Sequence, residues 1–337
     1  MTTPQPPVAT LISNPIPMVV VGGYLGAGKT TLLNRLLTHT QGRRIAVLVN
    51  DFGKINIDAA LIRARSSDVI QLENGCVCCS IGDKLVQALD SVSSRAEQPD
   101  LLVIEASGVS DPTRIAQVGM LDRAFQLNAV VVAVDCMQLD AHLSDPFIGD
   151  MVRQQIDGAT ALVLTKTDLV GKQFVAKVTQ ILTAIAPRAA LLQATHGKIP
   201  LSIYLDAEAL TKQPQHNESK RMPTLGLRMK KQTSSALLHS NITSFEYCTD
   251  CKFDKQKLKQ VLRDLPGRLL RAKGIVQLQG KATAQELHVV GGRVRVGDLP
   301  DGEIVKSILV FIGCFTPEEE YSVRGRLNSA LWKPFAD

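Results

Sequence analysis

Near the N-terminus, Gly23-Tyr24-Leu25-Gly26-Ala27-Gly28-Lys29-Thr30 fits the spacing G-x-x-x-x-G-K-[ST]. An apolar run, Met18–Val21, leads into it, and helical spacing over Thr30–Thr38 leads out. A strand, glycine loop and helix in that order make an anion nest. Glycine lets the backbone turn sharply and aim its N–H groups inward, and the helix N-terminus adds positive potential. Gly23, Gly26, Ala27, Gly28, Lys29, Thr30 and Thr31 are therefore expected to hold the phosphates of a nucleotide. Lys29 is expected on the β- and γ-phosphates and the Thr30 hydroxyl on Mg²⁺.

A second segment suits the base. Leu164-Thr165-Lys166-Thr167-Asp168 follows an apolar run, at the place where guanine-binding P-loop proteins carry N-K-x-D. A carboxylate accepts hydrogen bonds and donates none. Guanine presents N1–H and an N2 amino group on one edge, whereas adenine would leave Asp168 unpaired, so guanine is favoured. Lys166 is expected to lay its stem along the base and tie back to the phosphate loop. Thr165 stands where the usual residue is Asn. The Ala194 N–H, after the run Ala190–Leu192, is a candidate donor to the guanine O6. For the γ-phosphate, Leu101–Ile104 runs into Glu105-Ala106-Ser107-Gly108. Glu105 could order the Mg²⁺ shell or the attacking water, and the Gly108 N–H could sense the phosphate. Asn50-Asp51-Phe52-Gly53, leading to Asp58, has the makings of a switch that orders around γ-phosphate.

Cys76, Cys78 and Cys79 crowd into Gly75-Cys-Val-Cys-Cys, just before a helix expected over Ile81–Ser94. A helix N-terminus lowers a thiol's pKa, and thiolates are soft ligands for Zn²⁺ or Cu(I). Three such donors leave a coordination position open, which suits transfer better than a closed structural site. A redox disulfide and buried structural thiols are the alternatives. Cys248-Thr-Asp-Cys251 is a separate C-x-x-C with no second pair at finger spacing. Cys136 and Cys314 adjoin apolar runs and read as core. His39, His142, His196, His216, His239 and His288 form no cluster in the sequence.

The elements that must position these residues are legible as runs rich in Val, Ile and Leu at Met18–Val21, Arg44–Val49, Val69–Leu72, Leu101–Ile104, Ala129–Val134 and Ala161–Leu164. Runs without polar alternation mark strands buried on both faces. With helical stretches between them, such as Phe174–Ile185, they predict an α/β, doubly wound, mostly parallel sheet over residues 18–207. Residues 208–240 are polar and read as a linker. Residues 241–337 read as a smaller α+β domain. Its expected strands are Asn241–Tyr247, Gly274–Leu278, Glu286–Val290 and Ser307–Ile312. One expected helix is capped by Asp254 with Leu258, Val261, Leu262 and Leu265 on one face, and another covers Pro317–Leu331. These should form one antiparallel sheet with helices on one side.

The 337 residues favour two domains, and 45% hydrophobic composition excludes wholesale disorder. Residues 1–17, broken by five prolines at 4, 6, 7, 15 and 17, read as a flexible leader rather than a signal peptide. No apolar run reaches the roughly 20 residues that span a bilayer. Clustered thiols in a long chain favour a reducing compartment, so the expectation is cytoplasmic. A net charge of +6 does not call for nucleic acid. The Lys- and Arg-rich stretch Cys251–Asp298 lacks an aromatic platform and reads as a solvated face.

The motifs GGYLGAGKTTLLN, VNDFG, GCVCC, EASGVSDP and TKTD, in this order, resemble the CobW-type GTPases, relatives of the urease and hydrogenase nickel-insertion GTPases. RLLRAKG at Arg268–Gly274 and LVFIG at Leu309–Gly313 resemble that family's C-terminal domain. The resemblance covers roughly residues 18–205 and 240–331. It implies a GTP- and Mg²⁺-dependent metallochaperone that binds zinc, or in some branches cobalt or another divalent ion, and delivers it to a client metalloprotein. Carried over, Cys76, Cys78 and Cys79 are metal ligands; Glu105 and Gly108 face the γ-phosphate; Lys166 and Asp168 read guanine. Asp51 stands where many relatives have Glu, one methylene longer, and the His-rich tract of zinc-storing relatives is absent. The expected state is a monomer or weak homo-oligomer, with no membrane and no nucleic-acid partner. A redox-sensing regulatory NTPase without metal cargo is the competing reading. Because the thiols lie in sequence between the Asn50 and Glu105 segments, nucleotide and metal are expected to affect each other reciprocally.

Overall fold

The computed structural model describes residues 15–40, 42–49, 69–71, 81–205, 242–298 and 306–332. Seven strands form one sheet in the order β3-β2-β4-β1-β5-β6-β7, every pairing parallel. They are β1 (Ile16–Gly22), β2 (Ile45–Val49), β3 (Val69–Gln71), β4 (Leu101–Glu105), β5 (Phe125–Asp135), β6 (Ala161–Thr165) and β7 (Ala190–Gln193). The helices are α1 (Lys29–Leu37), α2 (Ile81–Ser93), α3 (Pro112–Gly119), α4 (Leu139–Ser144), α5 (Gly149–Asp157) and α6 (Lys172–Ile185).

Two apolar layers explain the unbroken hydrophobic runs. Met18 and Val20 of β1 face a core built with Leu85 and Leu89 of α2, Ile115 of α3, Ile156 of α5 and Leu182 of α6. Val19 and Val21 face the opposite core, with Leu32, Leu33 and Leu36 of α1. That second layer is completed by Leu270 and Ile312 from the C-terminal part of the chain. A strand with helices on one side and helix plus sheet on the other has no face left for polar residues.

The C-terminal part is a five-stranded antiparallel sheet in the order β11-β10-β9-β12-β8. Its strands are β8 (Thr243–Thr249), β9 (Arg268–Val276), β10 (Gln285–Val290), β11 (Arg293–Asp298) and β12 (Ser307–Cys314). Helices α7 (Lys255–Arg263) and α8 (Pro317–Ser329) cover one face through Leu258, Leu262, Val323 and Leu327. Asp254 caps α7, its carboxylate accepting from the Gln256 and Lys257 N–H groups at 2.9 Å. Thr316 and Glu319 form a reciprocal capping box on α8.

The opposite sheet face meets the parallel domain. Arg271 is fully buried there, donating to the carbonyls of Ser202, Ile203 and Leu205. His288 Nε2 lies 2.7 Å from the Leu127 carbonyl.

Three expectations need correction. Strand β9 begins at Arg268, not Gly274, because Arg271 is an interface residue rather than a solvated one. Strand β5 begins at Phe125, four residues before the expected Ala129, because buried Gln126 and Asn128 find remote partners in Glu286 and the Tyr204 carbonyl. Strand β11 was not expected; Val294 and Val296 pack on the core while Arg293 and Arg295 alternate with them. Residues 1–14 of the leader and 206–241, which include the expected linker, lie outside the described residues. Among the described residues no helix is long and apolar enough to cross a membrane.

Candidate functional site

The central strand β1 lies between β4 and β5, so the chain departs to opposite sides of it. The crevice beyond the carboxyl ends of such strands is where open α/β sheets bind ligands. Val21 of β1 and Val49 of β2 both pair in register with Glu105. The phosphate loop, the segment beginning at residue 50 and the Glu105 segment therefore leave the sheet at one level.

Gly23 and Gly28 make the loop possible. Gly23 has φ +126°, and a Cβ there would run into the Ala133 carbonyl. Gly28 has φ +94° at the N-cap of α1, whose first turn has no side-chain cap. A helix N-terminus of this kind presents backbone N–H groups and positive potential to an anion. Lys29, 9% exposed, folds back so that Nζ donates to the Gly23 carbonyl at 3.0 Å and the Tyr24 carbonyl at 3.3 Å. An ammonium held over the loop mouth is placed for phosphate oxygens.

Opposite, across a cleft of about 300 Å³, lies Glu105–Gly108. Glu105 is 4% exposed, and the Ala106 N–H donates to the Val21 carbonyl at 2.8 Å, which fixes the segment beside β1. A Cβ at Gly108 would sit 2.5 Å from Leu25 Cδ2 and 2.9 Å from the Leu25 nitrogen. Glycine is what lets the two walls approach. Buried Gln155 of α5 holds the same loop, its Nε2 donating to the Gly108 carbonyl at 3.1 Å and the Ser110 carbonyl at 2.8 Å. The Thr30 hydroxyl and the Glu105 carboxylate are hard oxygen donors lining one cleft, the donor type that Mg²⁺ takes.

At the T-K-T-D segment, Thr165 Oγ1 lies 2.8 Å from the Ala27 carbonyl and 3.2 Å from the Val134 carbonyl. The tie from this segment to the phosphate loop is thus made by Thr165. Lys166, expected to make it, instead places Nζ 2.6 Å from Asp135 Oδ2. Asp168 is exposed in the 3₁₀ turn Thr167–Leu169. The Ala194 N–H donates to the Leu164 carbonyl at 2.8 Å, so it is spent within the sheet rather than offered to a base.

The phosphate loop, the facing glycine segment and the T-K-T-D turn lie at the carboxyl ends of β1, β4 and β6, on one side of the sheet. The CobW/HypB/UreG nucleotide-binding domain matches residues 17–193, and the cobalamin synthesis protein CobW C-terminal domain matches residues 242–331. The chain belongs to the CobW/HypB/UreG family, and it is a GTPase. It is 31% identical over 321 residues to the zinc chaperone YjiA of Escherichia coli K12, covering 91% of this chain and 96% of that protein. It is 33% identical over 210 residues to the zinc-regulated GTPase metalloprotein activator 1 of Schizosaccharomyces pombe, covering 58% of this chain and 50% of the relative. A crystal structure of Zn(II)-bound YjiA GTPase from E. coli aligns with TM-score 0.46 and 27% identity over 94% of this chain and 99% of that one.

In this CobW-family GTPase, Gly23, Gly26, Ala27, Gly28, Lys29, Thr30, Thr31, Glu105 and Gly108 converge on the cleft or its loop, and Thr165 joins them to the base end. Asn50, Asp51, Asp58, Cys76, Cys78 and Cys79 lie outside the described residues. Among the described residues, no three His, Cys, Asp or Glu side chains gather closely enough to hold a metal ion. Cys248 and Cys251 are exposed, and Cys136 is buried in the core. Burial raises the Cys136 thiol pKa, and nearby Asp135 adds to the effect; Cys314 is likewise raised by burial. Asp135 and Gln155 were missed by the motif reading. The signal available for Asp135 was a carboxylate ending the apolar strand next to the T-K-T-D strand.

Proposed function

We propose that this GTPase is a metallochaperone: it binds a divalent metal, most simply zinc, through Cys76, Cys78 and Cys79 and delivers it to a client metalloprotein. The observation that carries the reading is the common exit level of β2 and β4. Val49 and Glu105 are paired in register beside the phosphate loop, and the three cysteines fall in sequence between them. A sequence position between two segments that leave the sheet beside the phosphate loop supports coupling of nucleotide occupancy to the thiolates. The names of the two relatives, a zinc chaperone and a zinc-regulated metalloprotein activator, support zinc as the cargo.

In this mechanism, the α1 amides and Lys29 bind the triphosphate, and the Gly108 N–H meets the γ-phosphate. Thr30, with Glu105 facing it, would hold Mg²⁺, which when bound offsets charge on the β- and γ-phosphate oxygens. Glu105 orients the attacking water, and Asp168 selects guanine. Loss of the γ-phosphate releases the Asn50 and Gly108 segments and changes the exposure of the thiolates. Coupling between two sites is reciprocal, so zinc must alter GTP affinity by the same factor that GTP alters zinc affinity.

The test is competitive zinc titration against a chromophoric chelator, with and without a non-hydrolysable GTP analogue. The expected result is a shift of zinc affinity by roughly 5- to 150-fold, the usual span of such coupling. In C76S/C78S/C79S, zinc binding at that site should vanish while GTP binding remains. Zinc affinity that is the same with and without the analogue would defeat the coupled mechanism. Retention of the site in the triple variant would defeat the ligand assignment. Zinc-free protein in which two of the three thiols oxidise to a disulfide under mild oxidant, the third remaining free, would favour the redox alternative.

A further inference from the structure

Asp135 ends β5 in register with Thr165 of β6. It is 6% exposed, yet both carboxylate oxygens have fixed partners. Oδ2 lies 2.6 Å from Lys166 Nζ, and Oδ1 accepts from the Met137 N–H at 2.9 Å. The main chains are drawn together at the same point, where the Cys136 N–H donates to the Thr165 carbonyl at 3.1 Å. Lys166 itself stands at φ 56°, in the left-handed region. That conformation is disfavoured for a residue with a Cβ and persists where neighbours determine it.

We propose that Asp135 is a positioning residue for guanine recognition. By holding Lys166 in its left-handed conformation, it fixes the start of the Thr167–Leu169 turn and so the angle at which Asp168 meets the base. This rests on the reading of Asp168 as the guanine acceptor and deepens it. A carboxylate is needed because two tasks fall on one side chain: capping the turn after β5 and charge-pairing the lysine of the neighbouring turn. An amide could keep the first and would weaken the second. Asp135 is shielded from water while Lys166 is 39% exposed, so the pair is held from the protein side and is not a freely screened surface bridge. The ends of β5 and β6 are thereby held together beside the Thr167–Leu169 turn.

The test compares GTP with inosine triphosphate, which lacks the 2-amino group, in the full chain and in D135N, D168N, K166M and D135N/K166M. D135N should raise KM for GTP roughly tenfold, the equivalent of one charge-assisted hydrogen bond. It should leave kcat at saturation within about twofold, the pattern of lost uniform binding. It should also compress the preference for GTP over the inosine nucleotide, as D168N does. D135N/K166M should be no worse than K166M alone, since both remove one coupled pair. An unchanged preference in D135N, with D168N losing it, overturns the role of Asp135 and leaves the base reading standing. A preference that survives D168N removes the base reading and the proposal together. If circular dichroism shows D135N unfolded at the assay temperature, K166M carries the same test: an unchanged preference there overturns the proposal.

Discussion

The two ends of the nucleotide groove are built from different materials. At the phosphate end the main chain does the positioning. Gly23 and Gly28 take left-handed φ values, Lys29 bonds to loop carbonyls, and Gly108 approaches Leu25 as glycine alone permits. At the base end side chains do it: Thr165 to the Ala27 carbonyl, and Asp135 to Lys166. The main-chain end is suited to an anion that every nucleotide shares, since amides do not distinguish bases. The side-chain end can be altered by one substitution, and on the proposed reading of Asp168 it is the end that meets the base, where nucleotides differ. If Asp168 reads guanine as proposed, affinity and selectivity are separable in this fold.

The largest effect should come from breaking the phosphate end. In G108A the new methyl meets Leu25 at 2.5 Å, so one wall of the cleft must shift. A displaced donor of this kind lowers kcat by about 10- to 100-fold. Steady-state GTP hydrolysis should show that loss without any change in the preference for guanine. Adding L25A should recover part of it, because the clash is with a side chain as well as with backbone. A G108A enzyme of normal kcat would mean that the two walls are not coupled through this contact.

A smaller effect is expected from T165V, which keeps the shape of Thr165 and removes its hydroxyl. The Ala27 and Val134 carbonyls lose a donor in a buried place, at a cost of about 1–3 kcal/mol shared between stability and binding. KM for GTP should rise by roughly fivefold, with a measurable drop in melting temperature. In contrast to G108A, kcat at saturation should hold. If T165V instead lowered kcat as G108A does, the division between main-chain and side-chain ends would be wrong.

The same division explains what was legible in the sequence. The phosphate loop could be read because its parts are contiguous: glycine, lysine and the following helix are consecutive residues and need no knowledge of the fold. The strands were legible because β1, β2, β4 and β6 are apolar along nearly their whole length, buried by two layers. Gln155 was not legible, since its partner Gly108 stands 47 residues away and no local pattern marks it; Asp135 showed only as a carboxylate ending an apolar strand, and its pairing with Lys166, 31 residues on, was hidden. Polar Gln126 and Asn128 hid the first turns of β5 for the same reason. Their hydrogen bonds go to Glu286, 160 residues on, and to the Tyr204 carbonyl, 76 residues on. Arg271 looked solvated because an arginine that feeds three carbonyls of another domain has the same letter as one in water.

The smallest effect tests how closed the base end is. Cys136 follows Asp135 directly and is buried, and burial first, with the Asp135 charge second, raises its pKa above the ordinary 9.0. The folded state therefore holds that proton more tightly than the unfolded chain. The stabilisation is complete below the unfolded value and is lost as pH rises through the folded one, so it bears on alkaline conditions above about pH 9 and not on neutral ones. Wild type should lose stability more steeply than C136A as pH rises above about 9, in urea melts compared across pH. Site-resolved alkylation gives the second reading. Exposed Cys248 and Cys251 should react with iodoacetamide at pH 8, while Cys136 stays protected until the protein unfolds. A Cys136 that reacted as fast as Cys248 in the native state would show the strand ends parting. The Asp135–Lys166 lock would then be intermittent, and selectivity at this end would have to come from the bound base itself.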